Sequence, residues 1–137
     1  MQHLRWLCGG FDVKQISFDS RFFDVPAQML VDEGLQMIEV PQSLERMTPA
    51  IGAAYDAIKN GQLSHDGDEL FAAHVLAAVA RFNERGFTLS KGRGRDRIDA
   101  AVALALAVHR SQAPGAAPHP TPSVVLLHEF LDDEWDD

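Results

Sequence analysis

With 137 residues, a single cysteine and no apolar run near the length of a bilayer span, the chain fits one ordinary soluble domain without a disulfide framework. The opening Met1-Gln-His-Leu-Arg-Trp-Leu-Cys8 has too short an apolar core for a secretion signal, so a cytoplasmic protein with no membrane partner is expected. The formal charge of −8 is unevenly spread: residues 111–137 carry −6 and residues 1–110 only −2, while residues 81–110 hold seven basic residues against three acids. A local surplus of that kind can meet phosphates, and on charge alone a solvated basic loop accounts for it equally well.

In chain order, residues 2–8 predict a short helix closed by Gly9-Gly10, and residues 14–19 predict a strand with Asp19 at its carboxyl end. Residues 21–33, with Pro26 near the first turn and Gly34 past the end, predict a helix, and residues 36–40 the next strand. Thr48 can cap and Pro49 suits a first helical position, so a helix is expected to start there and stop at Asn60-Gly61. Beyond a turn at residues 64–68, Leu70, Phe71, His74, Val75, Ala78, Val79 and Phe82 recur at three-and-four spacing. That period predicts one amphipathic helix over residues 69–85, ended by Gly86. A short strand at 87–90 and a helix at 96–110 close the compact part. The alternation of helices and strands points to an α/β fold with a mainly parallel sheet flanked by helices. Four prolines between 111 and 123 read as an extended linker into an acidic tail, so the organisation expected is a folded part over 1–110 and a linker with tail over 111–137.

In open α/β sheets, ligands gather at the carboxyl ends of strands, which is where Asp19 is expected. Asp99 stands at the mouth of an alanine-rich helix, directly after Lys91-Gly-Arg-Gly-Arg-Asp-Arg-Ile98. Two carboxylates from separate segments suit Mg²⁺ or Mn²⁺, which prefer oxygen donors, and the implied chemistry is phosphodiester hydrolysis. The plainer account is that Asp96 and Asp99, three residues apart, favour the positive end of a helix dipole, and that Asp19 is a turn residue. His65 and His74 are nine apart, which is no recognised zinc spacing, although His65 and Asp66 lie in a loop where either can assist metal or phosphate binding. Ser43, Ser64 and Ser90 have no evident His and acid partners, and no glycine-rich phosphate loop is present.

Five segments taken together go further. Phe18-Asp19-Ser-Arg-Phe-Phe23, Glu39-Val-Pro-Gln42 with Arg46-Met-Thr-Pro49, Leu63-Ser-His-Asp-Gly-Asp68 with Ala73-His-Val75, Leu89-Ser-Lys91, and Arg97-Ile-Asp-Ala-Ala-Val-Ala-Leu104 resemble successive motifs of the nuclease domain of phage terminase large subunits. The resemblance covers residues 1–110 and implies a partial ribonuclease H-like fold. It also implies cutting of concatemeric double-stranded DNA during genome packaging in the bacterial host cytoplasm, with acidic residues holding Mg²⁺ or Mn²⁺. By position Asp19 and Asp99 match two of the family's acids, Asp66 or His65 is allowed as a third group near them, and Lys91, Arg93, Arg95 and Arg97 are expected to contact the DNA backbone. The family's nuclease normally begins with strands bearing a first catalytic Asp, preceded by an ATPase domain. The motifs here match its second half, so the expected partners include the remaining part of the large subunit, the portal and the small terminase subunit. The rival expectation is a catalytically inactive prophage remnant or interaction module whose acidic tail, Leu127 to Asp137, binds a packaging partner.

Overall fold

A computed structural model describes residues 1–21 and 23–113, so all but the first three residues of the expected linker and tail lie outside the described residues. The chain divides into two compact units, Met1–Thr48 and Pro49–Asp137.

The first unit is built on a β-α-β segment. Helix α1 (Gln2–Gly10) precedes strand β1 (Ile16–Phe18), helix α2 (Asp24–Asp32) and strand β2 (Met37–Glu39). The strands run parallel with Ile16 opposite Met37 and Phe18 opposite Glu39, and the ladder continues as Ile16 N–H donates to Gln36 O and Val40 N–H to Phe18 O, both at 2.8 Å. Parallel neighbours need a crossover, and α2 supplies it, turning Ala27 and the fully buried Leu30 inward. Gly34, at φ +90°, ends α2 as the sequence predicts. Its N–H bonds Val31 O and the N–H of Leu35 bonds Leu30 O, a double closure of the last carbonyls that needs a left-handed residue. Arg5 on α1 reaches Glu33 at the end of α2 with two bonds, Nε to Oε2 at 2.6 Å and Nη2 to Oε1 at 2.5 Å.

Helix α3 (Leu44–Lys59) corrects the expected start at Thr48-Pro49: it begins on Leu44, with the N–H groups of Arg46 and Met47 bonded to Ser43 O, and Pro49 lies inside it. Proline removes the one donor that would bond the carbonyl of Glu45, a loss that the helix tolerates while burying Met47, Thr48, Ala50 and Ile51.

In the second unit the predicted single helix over 69–85 is two elements. Helix α4 (Glu69–Leu76) is capped by Asp68, which accepts from Phe71 N–H, and strand β3 (Ala78–Asn83) then pairs antiparallel with β4 (Gly86–Lys91). The register sets Val79 opposite Ser90, Arg81 opposite Thr88 and Phe82 opposite Phe87. Only Glu84 and Arg85 lie between the paired Asn83 and Gly86, with Gly86 at φ +133° and Asn83 Oδ1 accepting from Arg85 N–H. The apolar spacing that mimicked a helix is outweighed by cross-strand pairing, including the Phe82–Phe87 ring contact at 5.9 Å and the bond from Arg81 Nε to Ser90 Oγ at 2.9 Å. Among the described residues the α/β architecture therefore contains one parallel pair and one antiparallel hairpin. Helix α5 (Asp99–Ser111) closes the described chain, burying Ala101, Ala105 and Leu106.

Candidate functional site

An apolar groove of about 440 Å³ runs between α3, the hairpin and α5, lined by residues such as Ile51, Tyr55, Phe87 and Leu104. It offers no carboxylate or basic group, so the polar chemistry lies elsewhere in the chain.

The segment between β4 and α5 carries most of it. Lys91, Arg93, Arg95 and Arg97 are all exposed along a path of nine residues that ends at Asp99. The path has a defined shape. Gly92 N–H donates to Ala77 O at 3.1 Å, Arg93 N–H donates to Asp96 Oδ2 at 2.7 Å, and Asp96 N–H returns to Arg93 O at 3.0 Å. A side chain at Gly92 would meet Val79 Cγ2 at 3.2 Å, so the backbone there lies close against β3. Asp96 thus closes a turn ahead of α5 and does not share a helical face with Asp99, which corrects the helical start expected at 96.

Asp99 is the first residue of α5 and is exposed, between the buried Ile98 and the half-buried Ala100. Its carboxylate makes no hydrogen bond or ion pair with any described residue, and it stands where the helix dipole favours a negative charge. Ile98, at the cap position, has no side-chain oxygen to offer the first helical N–H groups, and His74 Nδ1 accepts from Ala100 N–H at 3.1 Å instead.

Asp19 directly follows β1, half-buried, at the carboxyl end of a parallel strand. Its Oδ1 accepts from Arg21 N–H at 3.3 Å and its other oxygen has no partner among the described residues. Asp19 belongs to the first unit and Asp99 to the second. His65 and Asp66 are exposed and engaged in their own turn: His65 Nδ1 accepts from Gly67 N–H at 3.1 Å, its ring lies 5.3 Å from that of Phe71, and Asp66 Oδ1 accepts from Asp68 N–H at 3.2 Å. Among the described residues no group of three or more His, Cys, Asp or Glu side chains is gathered as a metal cage. The donors fit Mg²⁺ or Mn²⁺ by type all the same, since both acids present unengaged carboxylate oxygen, the ligand these ions prefer alongside water and substrate phosphate. The roles of His74 and Asp96 had no sequence signal: a bond spanning 26 residues leaves no trace in local spacing, and the cap that a Ser or Asp would announce is absent.

No helix among the described residues is long and apolar enough to cross a membrane. Residues 1–114 match the family model of the terminase large subunit endonuclease domain. The chain is also similar in structure to the large terminase of bacteriophage HK97, with a TM-score of 0.69 and 24% identity over 80% of this chain, spanning 23% of that one. That likeness shows the terminase nuclease fold, of ribonuclease H-like α/β type. None of the curated proteins compared with the chain matches it.

Proposed function

We propose a function from one premise: this chain belongs to the terminase large subunit endonuclease-domain family, and within it acts as a Mg²⁺- or Mn²⁺-dependent element that cuts double-stranded DNA during phage genome packaging. The observation that carries the reading is the unengaged carboxylate of Asp99 at the end of a hydrogen-bonded loop bearing Arg93, Arg95 and Arg97. A carboxylate free of protein partners is available to a cation, and the arginines before it are available to the phosphates that such a cation would act on.

Asp99 and Asp19 are the carboxylate ligands in this reading, with Asp66 or His65 as a further group. A divalent ion held by such carboxylates would supply an activated water and would neutralise charge at the leaving oxygen. The chain's own part is to bind and position. Lys91 and the three arginines draw the sugar-phosphate backbone in without reading its sequence, and the short, internally bonded loop keeps those charges close to the start of α5. Ala77, the residue between α4 and β3, holds one end of that loop through its carbonyl oxygen.

The test is nicking of supercoiled DNA by the 137-residue chain as Mn²⁺ is titrated, beside Asp99→Asn and Asp19→Asn. Metal-dependent nicking lost in both variants supports the assignment. DNA binding without nicking at any metal concentration would favour a non-catalytic packaging module.

A further inference from the structure

We propose that His74 is a positioning residue for Asp99, acting through the backbone of α5. This rests on the reading of Asp99 as a metal ligand and adds to it the group that anchors the turn bearing that ligand.

Helix α5 has no side-chain cap from its own cap position. The first N–H groups of a helix have no partner within it, and a Ser, Thr, Asp or Asn at the cap position ordinarily takes one of them. Here the cap position is Ile98, whose side chain has no acceptor and is buried. The acceptor comes from another helix: His74 Nδ1 on α4 takes the N–H of Ala100 at 3.1 Å. As an acceptor, Nδ1 is the unprotonated ring nitrogen, which leaves the proton on Nε2. Asp99 is therefore held on both sides, by the buried side chain of Ile98 before it and by the His74 bond at Ala100 after it. Its carboxylate is free while its backbone is not.

One residue past the end of α4, Ala77 grips the other end of the basic loop. Ala77 O accepts from Gly92 N–H, so His74 and Ala77, three residues apart, tie down residues 100 and 92, the two ends of the segment carrying Arg93, Arg95, Arg97 and Asp99. The bond between Asp96 and Arg93 closes the loop internally. A free aspartate at the first position of an uncapped helix would fray with its turn. The His74 bond removes that freedom from the turn that carries Asp99, and loss of an outer contact that holds a ligand in place weakens metal binding by about tenfold.

The experiment uses the full chain with Mn²⁺ alone as the probe, read by electron paramagnetic resonance, together with amide hydrogen exchange at Ala100. His74→Ala should weaken Mn²⁺ binding by about tenfold and speed exchange at Ala100. His74→Asn sets its amide oxygen near the place of Nδ1 and should restore both, whereas His74→Gln sets its oxygen near Nε2 and should restore neither. If His74→Ala does not fold, the Asn and Gln variants decide the matter between them. Equal Mn²⁺ affinity in those two variants, or unchanged affinity in His74→Ala while Asp99→Asn loses the metal, overturns the positioning role alone. Unchanged Mn²⁺ binding in Asp99→Asn overturns the metal reading itself.

Discussion

The N–H of Arg93 and the carboxylate of Asp96 are bonded at 2.7 Å, so the acid nearest to Asp99 in sequence serves the loop and not the helix. Two aspartates three residues apart, alike in local sequence, have separate tasks because α5 starts at Asp99 and leaves Asp96 in a turn. Replacing Asp96 with Ala should release the Arg93 N–H to water and loosen the loop, lowering DNA affinity a few-fold while leaving Mn²⁺ binding in place. Asp99→Asn should do the reverse. Fluorescence anisotropy with duplex DNA, run beside Mn²⁺ titration of both variants, separates the two acids, and identical profiles would remove the distinction.

Inside α3, Thr48 is buried with its Oγ1 unpartnered among the described residues. A buried hydroxyl without a hydrogen bond costs roughly 1–3 kcal/mol of desolvation, and valine has nearly the same shape. Thr48→Val is therefore expected to leave the fold intact and to raise stability by about 1 kcal/mol, read as a higher urea midpoint with the same slope. A lower midpoint would mean that the hydroxyl has a partner, such as an ordered water.

These positions also show which parts of the fold were legible. The β-α-β segment could be read because Gly34 and the flanking apolar strands mark it, and Asp19 and Asp99 fall at a strand end and a helix start as their neighbours suggest. The Thr48-Pro49 pair misled, since proline at a first helical position and proline within a helix look alike from sequence, and only the burial of Met47 and Thr48 separates them. The hairpin was hidden for a different reason. Val79 and Phe82 continue the three-and-four spacing of α4, and their pairing with Ser90 and Phe87 is a contact between segments. The clue in the sequence was Asn83-Glu-Arg-Gly86, a two-residue hairpin connection closed by glycine.

Acid should loosen the first unit through Glu33. The hydrogen bonds from Arg5 hold the Glu33 carboxyl below its ordinary value, with desolvation opposing the effect and the charge of Arg5 adding to it. A carboxylate whose folded value is depressed contributes stability that is present above its unfolded value and is lost as pH falls through the folded one. The pair is exposed, with side chains 41% and 40% accessible, so the contribution is small. Wild type and Glu33→Gln should differ in stability near neutral pH and converge below the ordinary carboxylate range. A difference that persists at the lowest pH would point to packing and not to charge.

The arginines of the loop give the sharpest test of what the segment before α5 is for. Arg93, Arg95 and Arg97 are exposed, and none forms a side-chain hydrogen bond or ion pair with a described residue, so their charges are available to an outside partner. If they neutralise phosphates, each contact releases about one condensed counterion, and the slope of log affinity against log salt changes by about 0.9 per contact on duplex DNA. Replacing all three with Gln should therefore flatten that slope by between about two and three and weaken binding to unrelated sequences equally, since backbone contacts position the protein without specifying sequence. The fold should survive, because the loop is shaped by Gly92 N–H, Arg93 N–H and the Asp96 carboxylate, none of which belongs to an arginine side chain. Affinity and salt slope unchanged at low ionic strength would make the segment a solvated connection, and would leave Asp99 without the basic surroundings on which its assignment rests.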